Sequence, residues 1–212
     1  PKSGKNLILD AGCGTGGMLG LLSRYGTVYG VDASDTAVAL AKSRNTGVVT
    51  KAGIEHLPFA DGYFDLVTCF DVLYHRSVEN DGDVLREMFR VVKPGGMMLV
   101  REPAFQWLYG HHDRVVWTRR RYSRKELVSK IENAGFGIQR ASYVSFFLLP
   151  FLFTERMVSG LRGNGKGDSG PVFRDYPVLG SFFAGALFAE AWLVKYMNFP
   201  LGSSVICIAK RP

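Results

Sequence analysis

Apolar and polar positions fall into two kinds of run along this chain. Short runs that are apolar at nearly every position occupy 6–10, 27–32, 64–70 and 97–102, with a shorter one at 47–51. Such continuous runs mark strands buried on both faces, as in parallel sheets. Between them lie stretches with helical spacing, at 17–24, at 36–44 behind the candidate caps Ser34 and Asp35, and at 81–92. In the last of these, Val84, Leu85, Met88 and Val91 or Val92 share one face. Lys93-Pro94-Gly95-Gly96 ends it, because proline stops a helix and glycine makes the turn. Strands alternating with helices predict an α/β fold, a doubly wound and mostly parallel sheet.

The pattern changes after 102. Residues 103–122 read as a long polar and aromatic loop. Ser123 caps a helix through about 134, with Glu126 at the capping-box position, and 137–147 resume as a strand. A final strand spans 203–211. The intervening segment carries 13 of the chain's 27 aromatics between 143 and 200, which sets it apart from a minimal fold of this type. Its run at 145–153 is far shorter than the ~20 apolar residues needed to span a bilayer. The 178–194 stretch reads as a helix against protein or at an interface, and 163–170 (GNGKGDSG) as a flexible link. Two units follow: 1–142 with 203–212 as the main domain, and 143–202 as a helical insertion. The insertion serves as a lid, as extra core, as a dimer contact or as a membrane or partner contact.

The chemistry concentrates at ILDAGCGTG (8–16) and GVDAS (30–34). A strand ends in Asp10, a glycine-rich turn follows, and a second strand delivers Asp32 to the same sheet edge. Glycines let a backbone approach a nucleoside closely. A carboxylate about 20 residues on is placed for two ribose hydroxyls. Gly12, Gly14 and Gly17 also satisfy the dinucleotide pattern G-x-G-x-x-G. However, a carboxylate at Asp10 would repel a pyrophosphate at the helix N-terminus and suits a cationic ligand.

Asp10-x-Gly12-x-Gly14-x-Gly16 resembles motif I of the class I S-adenosylmethionine-dependent methyltransferases. So do LPFADGYFDLV at 57–67, DVLYH at 71–75 and VVKPGGMMLV at 91–100, which resemble its small-molecule branch. RRRYSRKEL at 119–127, KIENAGF at 130–136 and the tail FPLGSSVICIAKRP are similar to a bacterial subgroup associated with glycan and lipid-linked sugar biosynthesis. The resemblance implies a Rossmann-like seven-stranded sheet whose last strand is antiparallel. It implies S-adenosyl-L-methionine as cofactor and methyl transfer to oxygen or nitrogen of a small or lipid/glycan-linked acceptor. Asp10, Gly12, Gly14 and Gly16 would then hold the methionine moiety and ribose, Asp32 the ribose hydroxyls and Ala33 the adenine. Cys13 sits inside that loop, where only a small side chain is required. The family's acid after strand 3 is absent; Ala52-Gly53-Ile54 stands there, so Gly53 and Ile54 would meet the ring through backbone groups. Phe70 and Asp71 would face the amino-acid end of the cofactor and the substrate.

For proton transfer from an attacking group, His75 follows strand 4 at the edge where substrates sit, and His112 lies in the long loop beside Asp113. Each is also readable as a packed or solvated histidine. Tyr74 and Tyr122 would orient a substrate or simply pack. Arg119, Arg120 and Arg121 cannot all face one ligand; they are a solvated basic loop, or Arg121 and its neighbours meet a phosphorylated or carboxylated substrate or a lipid surface.

Net charge is +7 and favours anionic partners, with an acidic membrane surface among them. Nucleic acid is disfavoured, because DVLYH replaces the Asn/Asp-Pro-Pro-aromatic signature of base methylases after strand 4. Three cysteines without metal-like spacing give no disulfide framework and no metal site, which fits a cytoplasmic protein, peripheral on the inner membrane face if the insertion docks there. A homodimer is a further candidate partner. The chain begins at Pro1 without Met, and a helical segment is expected ahead of the first strand. Two rival functions stand beside methyl transfer: a nicotinamide-dependent oxidoreductase, and a cofactor-binding scaffold without catalysis.

Overall fold

The structure, a computed structural model, describes residues 6–151, 153–154 and 177–212. Seven strands form one sheet: β1 (Leu7–Ala11), β2 (Thr27–Asp32), β3 (Val48–Lys51), β4 (Phe64–Phe70), β5 (Val92–Pro103), β6 (Gly137–Val144) and β7 (Ser204–Lys210). Their order is β3-β2-β1-β4-β5-β7-β6, and β7 runs antiparallel to both neighbours. The described helices are α1 (Leu19–Leu22), α2 (Asp35–Ser43), α3 (Asp81–Val91), α4 (His111–Val115), α5 (Arg124–Asn133) and α6 (Pro177–Leu193). This is the Rossmann-like sheet expected from the sequence.

Alternation along β1 divides the core. Ile8 packs with Leu19, Leu22, Val38 and Ala41 under α1 and α2. Leu9 turns to the opposite layer, where Val84, Leu85 and Met88 of α3 meet Leu127 and Ile131 of α5. All of these are buried, and each large aliphatic side chain removed from water is worth about 1.5–3 kcal/mol.

Strand order reverses between β1 and β4, so the loops leaving these two strands diverge and open a crevice at their C-terminal ends. Ser204, the first residue of β7, pairs with Pro103 at the end of β5 and with Val144 at the end of β6. The insertion therefore leaves and rejoins the sheet at that same edge.

Several boundaries differ from the sequence expectation. β5 begins at Val92 rather than 97: Phe64 pairs with Val92 and Leu66 with Met97, so Lys93–Gly96 are accommodated as a bulge with Gly95 at φ 77°. α3 stops at Val91, just ahead of Pro94, and its open end is closed from another part of the chain. The Arg211 guanidinium donates to the carbonyls of Phe89, Arg90 and Val92 at 2.8, 3.0 and 2.6 Å, satisfying acceptors that a helix end leaves open. α1 is a single turn rather than 17–24, and β6 stops at Val144 because Ser145 takes φ 61°. The stretch 103–122 is not all loop. It holds a 3-10 turn at Gln106–Leu108 and the helix α4, whose Gly110 N–H is capped by the Asp113 carboxylate at 2.7 Å. The flexible link expected at 163–170 lies outside the described residues.

Candidate functional site

The glycine loop is shaped by its own backbone. Gly12 N–H and Cys13 N–H both donate to Val31 O at 2.9 and 2.8 Å, tying the exit of β1 to β2. Gly12, Gly14 and Gly16 all have positive φ, a region costly for other residues. A Cβ on Gly12 would lie 2.4 Å from Val72 Cγ2, so the β4 exit closes over the loop there. A Cβ on Gly14 would meet nothing within 4 Å, leaving open space above that backbone. Asp32 joins the parts. Its carboxylate accepts from Gly14 N–H and from Ser34 N–H, each at 2.9 Å, linking the loop to the start of α2.

Asp10 lies beneath this loop, 3% exposed, with Thr68 Oγ1 donating to Oδ1 at 2.7 Å. Burial pushes its pKa up to about 6 against that hydrogen bond, with the Asp32 charge adding to the rise. A positive ligand group beside it would draw the proton off. Cys13 is a buried filler: burial, Asp10 and Asp32 push its thiol to about 12, so it stays protonated.

Ala33 and Gly53 are exposed beside the ends of β2 and β3, whereas the Ile54 side chain belongs to the core. The acid missing from the loop after β3 has a near neighbour. Glu55 Oε2 sits 3.1 Å from the position a Gly53 Cβ would occupy. Sequence reasoning passed over Glu55 because it is offset from the expected position.

The β4 exit carries Phe70, with the Arg101 guanidinium 5.7 Å from its ring centroid, and Asp71, at φ 56° and ion-paired with Arg101. Fully buried Glu102 holds the next turn. Its carboxylate accepts from the N–H groups of Val72, Leu73 and Tyr74 at 3.1, 2.9 and 3.1 Å. Burial raises its pKa to about 8 while the three donors oppose the rise. Glu102 was invisible in sequence as a site residue, since its partners lie about 30 residues away.

Beside this turn opens a cavity of about 340 Å³ lined by Asp71, Tyr74, Leu108, His112, Asp113, Val116, Arg121 and the β7 entry Ser203–Ser204, among others. Burial and the nearby Asp71 and Glu102 charges raise the Tyr74 pKa, keeping its hydroxyl protonated. Arg121 and Asp113 form a buried two-point ion pair, Nε–Oδ1 2.8 Å and Nη2–Oδ2 3.1 Å, and Arg121 Nη1 also donates to Ala104 O at 2.9 Å. His112 is exposed at the rim on α4, a helical rather than strand-like setting.

The remaining candidates sit elsewhere. His75 is not part of the cavity wall. Its Nδ1 lies 2.7 Å from Ser77 Oγ and 3.1 Å from Ser77 N, a local contact within the same turn. Tyr122 is fully buried, its hydroxyl donating to Asp81 Oδ2 at 2.8 Å within reach of Leu73 O, so it packs as core rather than touching the cavity. The three arginines separate: Arg119 donates to Glu79 O, Arg120 pairs with Asp81 and Glu126, and Arg121 with Asp113.

A family model described as a methyltransferase domain matches residues 9–100. The ubiquinone/menaquinone biosynthesis C-methyltransferase UbiE of Vibrio cholerae serotype O1 is 41% identical over 106 residues, 45% of this chain and 40% of that protein. The match thus spans well under half the length of this relative. Among solved structures, phosphoethanolamine N-methyltransferase 2 of Haemonchus contortus, in complex with S-adenosyl-L-methionine, has TM-score 0.65 and 17% identity over 100% of this chain and 50% of that one. The cyclase SpnF has TM-score 0.64 and 23% identity over 100% of this chain and 77% of that one. At such identities the structures establish a common fold.

Proposed function

We propose that this chain, whose residues 9–100 match a methyltransferase-domain model on a Rossmann-like seven-stranded fold, transfers a methyl group from S-adenosyl-L-methionine to a small-molecule or lipid/glycan-linked acceptor. The observation carrying the proposal is the open backbone at Gly14, bracketed by Asp32 above and the buried Asp10 below. The donor set fits: Asp32 for ribose hydroxyls, Asp10 for positive charge at the sulfonium end, and Glu55 with the Gly53 backbone beside the adenine. S-adenosyl-L-methionine supplies an electrophilic methyl group on a cationic sulfur.

This chain's residues then have to bind, orient and exclude water. Val72 packs on Gly12, and Glu102 holds the turn that carries Tyr74 toward the cavity. The acceptor occupies that cavity, with its nucleophilic oxygen or nitrogen toward Asp71 and the glycine loop. His112 is the available base at the rim. The relative's printed name specifies carbon as acceptor atom, but the matched family model stops at 100, before the cap over 103–122 that forms much of the cavity wall.

Calorimetry tests cofactor choice: S-adenosylmethionine and its demethylated product bind in the micromolar range and NAD does not. NAD binding without S-adenosylmethionine binding would overturn the proposal in favour of a nicotinamide enzyme. A screen of acceptors with labelled methyl donor tests transfer. His112→Ala should retain cofactor affinity and lower turnover by ~10²–10⁴. A second role, cofactor binding without methyl transfer, prevails if cofactor binds but no acceptor is labelled.

A further inference from the structure

We propose that the outward face of α6 docks on an anionic lipid bilayer, at the sheet edge where the cavity opens. Where the described side chains of α6 and its last turn can be followed, Phe183, Ala186, Leu187, Glu190, Leu193 and Val194 turn inward. The opposite face presents Phe188, Trp192 and Tyr196 at a spacing of four residues, 79%, 58% and 71% exposed. Trp192 and Tyr196 rings lie 5.0 Å apart, a paired aromatic surface on the same face as Phe188. No packing among the described residues accounts for so exposed an aromatic face.

Charge distinguishes the occupant. Glu190 is the one acidic side chain between 177 and 212, and it is 3% exposed. Its carboxylate faces inward, accepting from the N–H groups of Ser145 and Phe147. That contact fixes α6 onto the turn after β6, and it removes the acid from the outer face. Lys195 stands exposed between Trp192 and Tyr196. Arg140 reaches the same end of the helix, donating to Asn198 Oδ1 at 3.0 Å and to Lys195 O at 2.5 Å. Tryptophan and tyrosine beside lysine and arginine match the level of lipid head groups, where rings with one polar end sit among acyl chains and cations meet phosphate. Lys195 is the charged residue on the described outer face, so a second copy of that face would bring like charges together. No described helix is long and apolar enough to cross a membrane, so the mode is lateral docking.

Position ties docking to the site. α6 is anchored at Ser145–Phe147, and the chain returns through Phe199 to Ser203 and Ser204 of the cavity wall. A bilayer against α6 therefore lies next to the opening through which a lipid-linked acceptor would enter. Only this delivery role rests on the methyltransferase proposal; the docking does not.

The test is flotation of the full chain with phosphatidylcholine vesicles and with vesicles rich in phosphatidylserine, at low and high salt. Docking predicts flotation on the acidic vesicles, weakened by salt, with Trp emission shifted to the blue and quenched by brominated acyl chains. Phe188→Ser with Trp192→Ser should abolish it, and Lys195→Gln should lower partitioning about fivefold. Tyr25→Ser, an exposed aromatic just ahead of β2 at the opposite sheet edge, should leave it unchanged. Absence of flotation by folded wild-type protein overturns the proposal. So does flotation indifferent to the α6 substitutions, or a concentration-dependent dimer that the double substitution dissociates. Calorimetry with S-adenosylmethionine on the same preparation reports separately on the methyltransferase proposal.

Discussion

The glycine loop at 12–16 and the cap at 103–122 stand at the same sheet edge, yet they are held by different physics. The loop is fixed mainly by backbone: positive φ at three glycines and two N–H groups on Val31 O, with one carboxylate 18 residues away. The cap is fixed by a buried ion pair. Arg121 spans from the Ala104 carbonyl to Asp113, and both side chains are shielded from water, at 7% and 2% exposure. A backbone cradle presents amides and open space to a ligand with little cost when empty. A buried charge pair orients a cavity wall, but each partner depends on the other. The cofactor cradle thus rests on backbone and is robust, and the acceptor cavity rests on a buried charge pair and is fragile.

The largest expected effect comes from breaking the cap. Asp113→Ala leaves the Arg121 charge buried without its partner and should cost about 3–5 kcal/mol, read as a lowered midpoint in thermal or urea unfolding. Asp113→Ala combined with Arg121→Met should recover most of that loss. If the single substitution costs under about 1 kcal/mol, the cap is held by something other than this pair.

Next is Asp32→Ala, which removes a charge-assisted contact and should weaken S-adenosylmethionine binding by roughly 1.5–3 kcal/mol in calorimetry. Because Asp32 also holds Gly14 and Ser34, exchange of the loop amides should rise in parallel. Unchanged affinity would detach Asp32 from the cofactor.

Asp10 gives a pH signature. Its folded pKa is raised from 3.8 to about 6, so the folded state holds the proton more tightly than the unfolded chain. Its contribution to stability is present below about pH 4 and is lost as pH rises through about 6. Affinity for a cationic ligand runs the other way, because the ligand prefers the ionised carboxylate. Binding of S-adenosylmethionine at pH 5 should be about tenfold weaker than at pH 7, and Asp10→Asn should flatten the dependence. A profile that keeps its slope in Asp10→Asn assigns the titration to another group.

The smallest effect tests the offset acid. Glu55→Gln should weaken cofactor binding by about 0.5–1.5 kcal/mol without altering the unfolding midpoint. No change would leave Gly53 and its neighbours to meet the adenine through backbone alone.

What the sequence determined by itself is the part encoded in short range. Continuous apolar runs marked β1, β2 and β4 almost to the residue, since a strand buried on both faces has no polar alternation to blur its limits. Glycine spacing and the two carboxylates located the cradle, because the conformation at Gly12, Gly14 and Gly16 is a property of those residues. Tertiary structure decided the rest. Whether Arg119, Arg120 and Arg121 met one ligand or three partners depended on where α3 and α4 came to lie. Tyr122 sank into the core because Asp81, 41 residues away, accepts its hydroxyl. Glu102 became the anchor of the β4 exit only once β5 lay beside β4. These are interactions between charges and amides distant in the chain; their energy depends on burial and mutual orientation, which no local pattern of residues records.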